Sequence, residues 1–535
     1  MDKSSALRTP LRALAQTAGR LAAGLLSPPW LEIATFLLVG SMYVYNAWRF
    51  TYPAGYAGLY TLMADILAHK PFPLPMQVPY YGPGGIPFAY PPVAAYLSAF
   101  FIGPLQIPVF TYLRWEPAVV CIMVMVGVYL LGRQLTGDRL KALVGTAVVF
   151  SGEIMYSYHG TASGSVRSIA LLWTVLAAYF ALLAFSRVRR WLVYALLAGL
   201  FLALTLMTHL SYAAFLAPGI VLMAFLAPGG GPLLVRGKTL IVITVVGAFL
   251  AAPWWGTMIA RYGPAVFLNA GTTHGTLGLL EQSGLNPIAV IRSVLRWYVN
   301  LGGAWWPAHL AGLTIAGFAY SLARGRWLLP VWMVVTVATL GQTDRFEILL
   351  GGLLAGEVLV DVAHFAGGSA RGRTPVGQET LGSLVFLGLT LVPVMFLGFR
   401  GIQWTEVALS DDLVRMGAWV KVSSPEGSQY LYLGSDHDVA EWLPYLVRRT
   451  PGIAPWGAEW TGNYDNQNML WGELSGCIAA REAGCLDEIL ASLEREITWL
   501  IIPGDPSGLV PAISNDERWL QVFHNAGYSV YSREE

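Results

Sequence analysis

Three side chains in apolar surroundings are candidates for moving a proton: Asp65, His159 and His209. A carboxylate or an imidazole acts as a general base when it lies within hydrogen-bonding reach of the proton that it removes. Asp65 lies on a predicted helix in a long aromatic-rich loop and is the first choice for the base. The two histidines fall at the ends of predicted helices on the same side. The alternative is a carboxylate facing water and two histidines that make local hydrogen bonds.

Arginines near the same helix ends are candidates for binding a phosphate group. They are Arg345, Arg167 and Arg261, with Arg292 and Arg296 as further candidates. Cationic groups stabilise the negative charge that develops on a departing phosphate. Arginines at a membrane surface also extend routinely to lipid phosphates, which is the alternative for each of them.

The loop that carries Asp65 is rich in tyrosine, proline and glycine. It contains Tyr56 and Tyr60, and residues 80–92 read Tyr-Tyr-Gly-Pro-Gly-Gly-Ile-Pro-Phe-Ala-Tyr-Pro-Pro. Tyr60, Met63 and Leu67 recur at helical spacing, which predicts a short amphipathic helix lying at a membrane interface. The proline-rich tract cannot form a regular helix, so we expect an aromatic-lined loop that stacks on sugar rings or lipid headgroups.

Composition indicates that these side chains belong to a membrane protein. The chain has 535 residues, of which 55% are hydrophobic and 12% are charged, with a mean hydropathy of +0.54. Soluble proteins carry about 25% charged residues. Repeated apolar runs of about 17–25 residues are long enough to cross a bilayer as helices, which satisfy their own backbone hydrogen bonds. We therefore predict an all-α polytopic membrane domain over residues 31–400.

Short basic connections orient the predicted helices, about eleven in number. The spans are predicted near Leu31–Trp48, Ala118–Leu131, Leu140–Tyr158, Ser165–Phe185, Trp191–Met207, Ala213–Leu226, Thr239–Trp255, Trp305–Leu322, Leu328–Leu340, Ile348–Phe365 and Leu381–Phe399. Connections such as 133–141 and 187–190 are basic and therefore cytoplasmic under the positive-inside rule. Residues 1–30 are then a cytoplasmic basic arm. The proline-rich stretch Pro91–Tyr112 stays at the outer interface, within a long first outer loop, 49–116.

Residues 401–535 form a predicted soluble domain outside a bacterial or archaeal plasma membrane. They hold 8 Lys and Arg against 20 Asp and Glu, whereas the rest of the chain holds 25 against 12. Because this domain is acidic, nucleic acid would be a poor partner. Strand-like strings such as Tyr430–Leu433 alternate with helical stretches such as Leu486–Ile497, which predicts a small α/β or α+β fold.

Cys477 and Cys485 lie in this domain, where a disulfide is permitted. Helical spacing would separate them by about two turns, so a bridge requires a break in the helix, which Gly484 could supply. Two free buried thiols are the alternative. Cys121 falls in a predicted span and is expected to be a small core residue.

The order of these features resembles the GT-C superfamily of membrane glycosyltransferases, which includes protein mannosyltransferases and aminoarabinose transferases. The features are a first span, a long outer loop with a juxtamembrane helix, the segment Tyr90-Pro-Pro92, the basic turn Gly132–Gly137, many further spans and an outer C-terminal domain. The resemblance implies a polyprenyl-phosphate-linked sugar as the donor. It implies an extracytoplasmic glycan, lipid or protein of the cell envelope as the acceptor, with membrane lipids around the spans.

In that superfamily an acidic residue of the first outer loop acts as base, or orients the acceptor or a metal. It commonly stands where this chain has Ala57. A second acid is typical of the next outer loop, but residues 156–165 contain His159 and no carboxylate. Arg345 resembles a position that is often basic in the superfamily.

The sequence identifies no metal site. No Cys and His spacing resembles a zinc site. The string Asp436-His437-Asp438 matches the DxD pattern of metal-dependent soluble glycosyltransferases, but three-residue acidic patterns are common by chance. No cofactor is predicted, and a divalent metal is the alternative left open.

Three functions are compatible with these observations. The first is sugar transfer from a polyprenyl-phosphate donor to an extracytoplasmic acceptor, with Asp65 as base. The second is a catalytically inactive GT-C-like protein that binds lipid or glycan, or that serves as a structural subunit of a membrane complex; Ala57 favours this one. The third is a transporter, which predicts internal repeats and polar groups at the bilayer midplane, and the sequence contains neither.

Overall fold

The computed structural model describes residues 30–82, 84–186, 188–227, 231–273, 308–340, 344–368, 407–480, 483–493, 495–504 and 510–533, with the single positions 388, 392 and 396. Most of the basic arm, Arg292, Arg296 and nearly all of the predicted span Leu381–Phe399 lie outside the described residues.

Helices dominate the chain up to residue 368. In chain order they are α1 (Trp30–Arg49), α2 (Gly58–His69), α3 (Val93–Ile102), α4 (Val109–Thr136), α5 (Arg139–Ser151), α6 (Glu153–His159), α7 (Ser165–Ser186), α8 (Trp191–Leu206), α9 (Leu210–Leu226), α10 (Leu233–Tyr262), α11 (Ala265–Thr272), α12 (Ala308–Ala323), α13 (Leu328–Thr339) and α14 (Asp344–Gly368). The described residues form a helix at each predicted span from Leu31–Trp48 to Ile348–Phe365, and nearly all of the last predicted span lies outside them. The exact number of spans stays a prediction.

Several of these helices are suited to a bilayer. Among the described residues, the segments Val109–Thr136, Ala162–Ser186, Leu233–Tyr262 and Asp344–Phe365 are long and apolar enough to cross a membrane. Large apolar side chains are exposed on their flanks, such as Phe249 on α10, as expected of surfaces that contact lipid. The chain is an integral membrane protein.

A break between α5 and α6 interrupts what hydropathy predicts as one span, Leu140–Tyr158. Gly152 lies at the break with an extended backbone. A Cβ atom there would lie 2.1 Å from Cδ1 of Ile348, on α14. The close approach of α14 explains why glycine stands at this position. The break redirects the chain towards the segment that contains His159.

The segment between α1 and α4 is a folded unit, which we call the first loop (residues 50–108). Helices α2 and α3 pack together, and a short hairpin joins β1 (Gln77–Val78) to β2 (Ile86–Pro87). Its core includes Leu62, Tyr81 and Phe88, which are fully buried. Because α4 begins at Val109, the last residues of the predicted loop 49–116 belong to that helix.

The C-terminal domain contains a five-stranded mixed sheet flanked by helices. Its elements are α15 (Asp411–Ser423), β3 (Gln429–Tyr432), α16 (His437–Val447), β4 (Thr450–Pro451), α17 (Tyr464–Ala480), α18 (Ala483–Ser492), β5 (Trp499–Pro503), α19 (Val510–Ser514), β6 (Trp519–His524) and β7 (Tyr528–Arg533). The strand order is β4-β3-β5-β7-β6. β3 pairs in parallel with β4 and β5, and β7 pairs antiparallel with β5 and β6. The prediction that a helical membrane part precedes a domain of strands and helices is confirmed.

Alternate residues of the strands face two different cores. Tyr430 and Ile501 point towards the side on which α15, α16 and the first loop pack. Leu431 and Leu500 point towards the opposite side, where α17 and α18 pack. This is the two-residue period of a strand whose two faces are both buried. On the side away from the first loop, Cys477 and Cys485 form a disulfide that joins α17 to α18, with their Cα atoms 5.7 Å apart.

Helix α16 of the C-terminal domain packs directly on α2 of the first loop. The indole Nε1 of Trp442, a fully buried side chain, donates a hydrogen bond to the Gly55 carbonyl oxygen at 2.9 Å. A Cβ atom at Gly58 would lie 2.5 Å from the Glu441 carbonyl oxygen. The C-terminal domain therefore covers α2, which is packed between protein elements; its position at a membrane interface stays a prediction.

We predict that Gly58→Ala destabilises this contact by about 1–3 kcal/mol, since the added methyl group overpacks two helices in backbone contact. The matched control is Gly472→Ala in α17, where an added Cβ would meet no atom within 4 Å. Because alanine favours helix over glycine by about 1 kcal/mol, the control should be neutral or stabilising. Thermal unfolding in detergent and limited proteolysis of the first loop measure both effects. Equal stability of the two variants would contradict the close contact.

Candidate functional site

A cavity of about 310 Å³ lies where the membrane helices, the first loop and the C-terminal domain meet. The first loop contributes residues such as Tyr56, Tyr60 and Tyr90, and the membrane domain contributes the ends of α7, α9, α13 and α14. The C-terminal domain closes the third side with α16 and the segment that follows β4. No single part of the chain forms this cavity alone.

Two arginines of the membrane domain line the cavity, and each lies in the first turn of a helix. Arg167 follows the start of α7 at Ser165, and Arg345 follows the start of α14 at Asp344. The ring of Tyr158 lies near both guanidinium carbons, at 5.3 Å from that of Arg167 and 5.8 Å from that of Arg345. Helix N-termini carry partial positive charge. This side of the cavity is therefore strongly electropositive.

Neither guanidinium group makes an ion pair with a carboxylate in the described part of the chain. An Nη atom of Arg167 donates to the Tyr56 hydroxyl at 2.7 Å. Arg345 is 6% exposed, and the carboxylate of the preceding Asp344 accepts from its backbone N–H at 3.0 Å. The Nε atoms of both arginines are buried without a hydrogen-bond partner among the described residues. A guanidinium group that is largely removed from water and makes no direct ion pair is costly, so the pair is suited to a bound anion.

Aromatic rings line the rest of the cavity. The ring of Tyr90 meets that of Tyr60 edge-on at 5.9 Å and that of Trp460 at 5.0 Å. The ring of His437 lies 4.5 Å from that of Trp456. Flat apolar faces with polar edges are surfaces on which sugar rings stack.

A buried carboxylate of the C-terminal domain also lines the cavity. Glu441 is 1% exposed. Its Oε2 accepts from the Gly58 N–H at 2.6 Å, and its Oε1 accepts from the Leu59 N–H at 2.7 Å. Glu441 therefore caps the N-terminus of α2, where the N-cap residue Ala57 offers no side-chain acceptor. Burial raises the pKa of the Glu441 carboxyl to about 8, against the lowering effect of the two N–H groups.

A second carboxylate in the cavity is held by a tyrosine. Glu459, on the 3₁₀ helix Ala458–Thr461, accepts a hydrogen bond from the Tyr90 hydroxyl. Burial raises the pKa of this carboxyl above its usual value. Both acids of the site thus come from the C-terminal domain, whereas both cations come from the membrane domain.

The predicted base, Asp65, is not among the residues that line the cavity. Its Oδ2 makes an ion pair with Nη2 of Arg448 at 2.7 Å, and its side chain is 33% exposed. Arg448 lies at the C-terminal end of α16. Asp65 therefore belongs to the contact between the first loop and the C-terminal domain, and we do not retain it as the base.

Arg261 is likewise absent from the cavity lining. An Nη atom of Arg261 donates to the Leu74 carbonyl at 2.8 Å and to the Pro75 carbonyl at 3.1 Å. It fixes the first loop to the end of α10. Among the three arginines proposed for phosphate, the structure brings together Arg167 and Arg345 only.

The predicted substrate-lining residues Tyr56, Tyr60 and His209 all border the cavity, whereas His159 does not. His159 is fully buried, and its Nε2 lies 2.5 Å from the hydroxyl oxygen of Tyr212. It therefore lies behind the lining as a packed hydrogen-bonding residue.

The acidic string of the C-terminal domain has a structural role. Asp436 is the N-cap of α16, and its carboxylate accepts from the backbone N–H groups of Asp438 at 2.9 Å and Val439 at 3.1 Å. In the described ranges, no group of three His, Cys, Asp or Glu side chains could hold a metal ion. A divalent metal stays the open alternative of the sequence analysis, and we derive no metal-dependent step.

Sequence reasoning missed Glu441 and Glu459. The available signal for Glu441 is a single acid in the apolar string Val439-Ala-Glu-Trp-Leu-Pro-Tyr-Leu-Val447. An acid on the apolar face of a helix is rarely buried without a partner. For Glu459 we find no comparable signal.

Comparisons with known proteins identify solved structures with a similar fold, whereas the two sequence comparisons find no match. No protein-family model matches the chain, and no curated protein matches it. The archaeal oligosaccharyltransferase AglB from Archaeoglobus fulgidus is similar with a TM-score of 0.62 at 14% identity, over 89% of this chain and 69% of that one. ArnT from Cupriavidus metallidurans is similar with a TM-score of 0.52 at 10% identity, over 95% of this chain and 98% of that one. The arabinofuranosyltransferase AftD from Mycobacteria is similar with a TM-score of 0.57 at 14% identity, over 95% of this chain and 40% of that one.

We predict that Asp65→Asn lowers the free energy of unfolding by less than about 1 kcal/mol, because the ion pair with Arg448 is partly exposed to solvent. Arg448→Gln should produce a similar loss, and the double variant should lose no more than either single variant. A double-mutant cycle from thermal unfolding measures this coupling. Strictly additive losses would show that the two side chains do not interact.

Proposed function

We propose that this chain, which shares its fold with the GT-C membrane glycosyltransferases, transfers a sugar from a polyprenyl-phosphate donor to a hydroxyl acceptor on the extracytoplasmic side. The observation that carries this proposal is the arginine pair. The guanidinium groups of Arg345, which is buried, and Arg167, which is half-buried, share one cavity and make no ion pair with a carboxylate in the described part of the chain.

Ligands of the structural neighbours support a lipid phosphate as the anion. AglB was solved with a dolichol-phosphate, and ArnT was solved with undecaprenyl phosphate. Both ligands are long isoprenoid chains that carry one phosphate. An apolar chain can lie along the lipid-facing helices while its phosphate enters the cavity beside the arginines.

In this mechanism Arg167 and Arg345 stabilise the phosphate as it departs from the anomeric carbon. The bond to the sugar breaks, and the phosphate gains negative charge, which the two guanidinium groups and the N-termini of α7 and α14 stabilise. The aromatic rings of Tyr60, Tyr90 and Trp460 hold the sugar by stacking. The cations need no reorganisation, because Tyr56 and Tyr158 already position them.

A second candidate function is binding without catalysis. Ala57 stands where the superfamily commonly has an acid, and the segment 156–165 has no carboxylate. A chain of this kind would bind a lipid phosphate or a glycan in the same cavity, or serve as a structural subunit of a membrane complex. The two functions predict the same binding and differ in turnover.

We predict that Arg345→Gln and Arg167→Gln each slow the release of polyprenyl phosphate by about 100-fold or more, because each removes a charge that stabilises the departing group. The assay uses membranes that contain radiolabelled polyprenyl-phosphate sugars. Binding of undecaprenyl phosphate to the purified variants, measured by native mass spectrometry, should weaken at least about 10-fold, since each variant loses a charge-assisted hydrogen bond.

Arg415→Gln is the control for this experiment, because Arg415 lies in α15 with a side chain that is 72% exposed. Its binding and turnover should match those of the wild type. Unchanged binding in both cavity variants would contradict the phosphate site. Wild-type binding without turnover would leave the binding function in place of transfer.

The same proposal requires the C-terminal domain to lie outside the cytoplasm. In intact cells, a membrane-impermeant maleimide should label Val422→Cys, because Val422 is 84% exposed in this domain. Arg190→Cys, in a predicted cytoplasmic connection, should react only after the membrane is permeabilised. The three natural cysteines form a disulfide or are buried, which keeps the background low. The reverse labelling pattern would refute the orientation.

A further inference from the structure

We propose that Glu441 of the C-terminal domain is the general base that removes the proton from the acceptor hydroxyl group. This inference rests on the proposed function and deepens it. In the superfamily that this chain resembles, an acid commonly stands at the position of Ala57. We assign the role of that acid to a residue of the C-terminal domain.

The position of Glu441 is the first argument. Its carboxylate lies against the backbone N–H groups of Gly58 and Leu59, directly after Ala57 in the chain. Ala57 is fully buried within the core that the first loop shares with the C-terminal domain. The Glu441 carboxylate therefore lies next to position 57 of the first loop and, unlike Ala57, borders the cavity.

The attachment of Glu441 is the second argument. Both carboxylate oxygens accept a backbone N–H, and the Tyr81 hydroxyl donates to the backbone carbonyl of the same residue at 2.8 Å. These contacts hold both the Glu441 side chain and the backbone of α16 in place. Each carboxylate oxygen has a second lone pair that is free to accept a proton. A base that is held rigidly at the wall of the cavity needs no rearrangement before the reaction.

The chemical step balances with this single base. The acceptor hydroxyl oxygen forms a bond to the anomeric carbon of the donor sugar. The bond between that carbon and the phosphate oxygen breaks, and its electron pair leaves with polyprenyl phosphate, beside Arg167 and Arg345. The hydroxyl proton passes to the Glu441 carboxylate.

The electrostatic surroundings suit a base that works near neutral pH. Among the described residues, the ionisable groups that interact with Glu441 include Asp438 on the same helix, Tyr60 and Tyr81 from the first loop, and Tyr430 from β3. Burial and the neighbouring Asp438 raise the pKa of the Glu441 carboxyl to about 8. The carboxyl is neutral below that pH and becomes the basic carboxylate above it, so the reaction rate should increase with pH through this range.

Glu459 is the competing carboxylate of the cavity. One of its oxygens already accepts the Tyr90 hydroxyl proton in a hydrogen bond, and Tyr90 also packs against Trp460. Its contacts are those of a side chain that positions an aromatic ring of the sugar-binding surface. Glu459→Gln keeps an oxygen that accepts from Tyr90, so it provides a comparison that removes only the charge.

The experiment measures the single-turnover release of polyprenyl phosphate against pH for the wild type, Glu441→Gln, Glu441→Asp and Glu459→Gln. General-base catalysis contributes about 10²–10⁴-fold, so Glu441→Gln should lose at least about 100-fold. Its remaining rate should not depend on pH near 8. Glu441→Asp retains a carboxylate and should keep a measurable rate with a pH dependence, whereas Glu459→Gln should keep the wild-type pH profile.

A folding control accompanies these rates, because the amide group of Glu441→Gln faces two N–H donors. Binding of undecaprenyl phosphate and thermal unfolding report whether the variant retains its structure. If the amide variant unfolds, Glu441→Ala with added formate replaces it, and recovery of the rate by formate supports the base. Asp411→Asn is the matched surface control, since Asp411 accepts from the Tyr52 hydroxyl at 2.7 Å outside the cavity.

The failure of this inference is distinguishable from the failure of the proposed function. A wild type that releases polyprenyl phosphate, together with a folded Glu441→Gln of equal rate, overturns the role of Glu441 and leaves transfer intact. Loss of the rate and its pH dependence in Glu459→Gln alone would move the base to that residue. A wild type that binds undecaprenyl phosphate and never releases product contradicts both proposals.

Discussion

A carboxyl group buried between two helices is stable only when hydrogen-bond donors surround it, and Glu441 finds two donors at the N-terminus of α2. The first turn of a helix leaves N–H groups without partners, and its partial positive charge favours an acid. The contact therefore gives the free N–H groups of α2 an acceptor and gives the buried carboxyl group its hydrogen-bond donors. Since α16 carries Glu441, the same contact determines where the C-terminal domain lies on the first loop. The cavity exists because this contact holds its third wall in place.

The cavity has an uneven distribution of charge that follows from this assembly. The membrane domain supplies Arg167 and Arg345, which make no direct ion pair with a described carboxylate, and the C-terminal domain supplies Glu441 and Glu459. The aromatic rings of the first loop, including Tyr60, lie among these groups. A ligand with an anionic end and a neutral, hydroxyl-rich end would match this distribution, as a sugar phosphate does.

The hydropathy of individual segments predicted the membrane helices well. The features that the sequence did not predict, such as the break at Gly152 and the role of Glu441, depend on contacts between distant segments. Hydropathy predicted the span Ser165–Phe185, and α7 is Ser165–Ser186, because apolar length is a property of the segment alone. The break at Gly152 lies against Ile348, a residue of another helix, and this contact cannot be read from the local sequence. For the site, Tyr56 and Tyr60 were predicted from the aromatic composition of the first loop, and Arg167 and Arg345 from their places near the outer ends of predicted spans. Asp65 was selected as the nearest acid in the chain, whereas Glu441 reaches α2 across 383 residues of sequence, a pairing that no local pattern predicts.

The division of the cavity between distant parts of the chain has a consequence for biosynthesis. The arginine helices leave the ribosome well before Glu441, and α16 becomes complete only when most of the protein has been made. In a nascent chain the cavity therefore stays open on its third side until α16 has been synthesised and has packed on α2. Under the proposed mechanism, sugar transfer would begin only after that step.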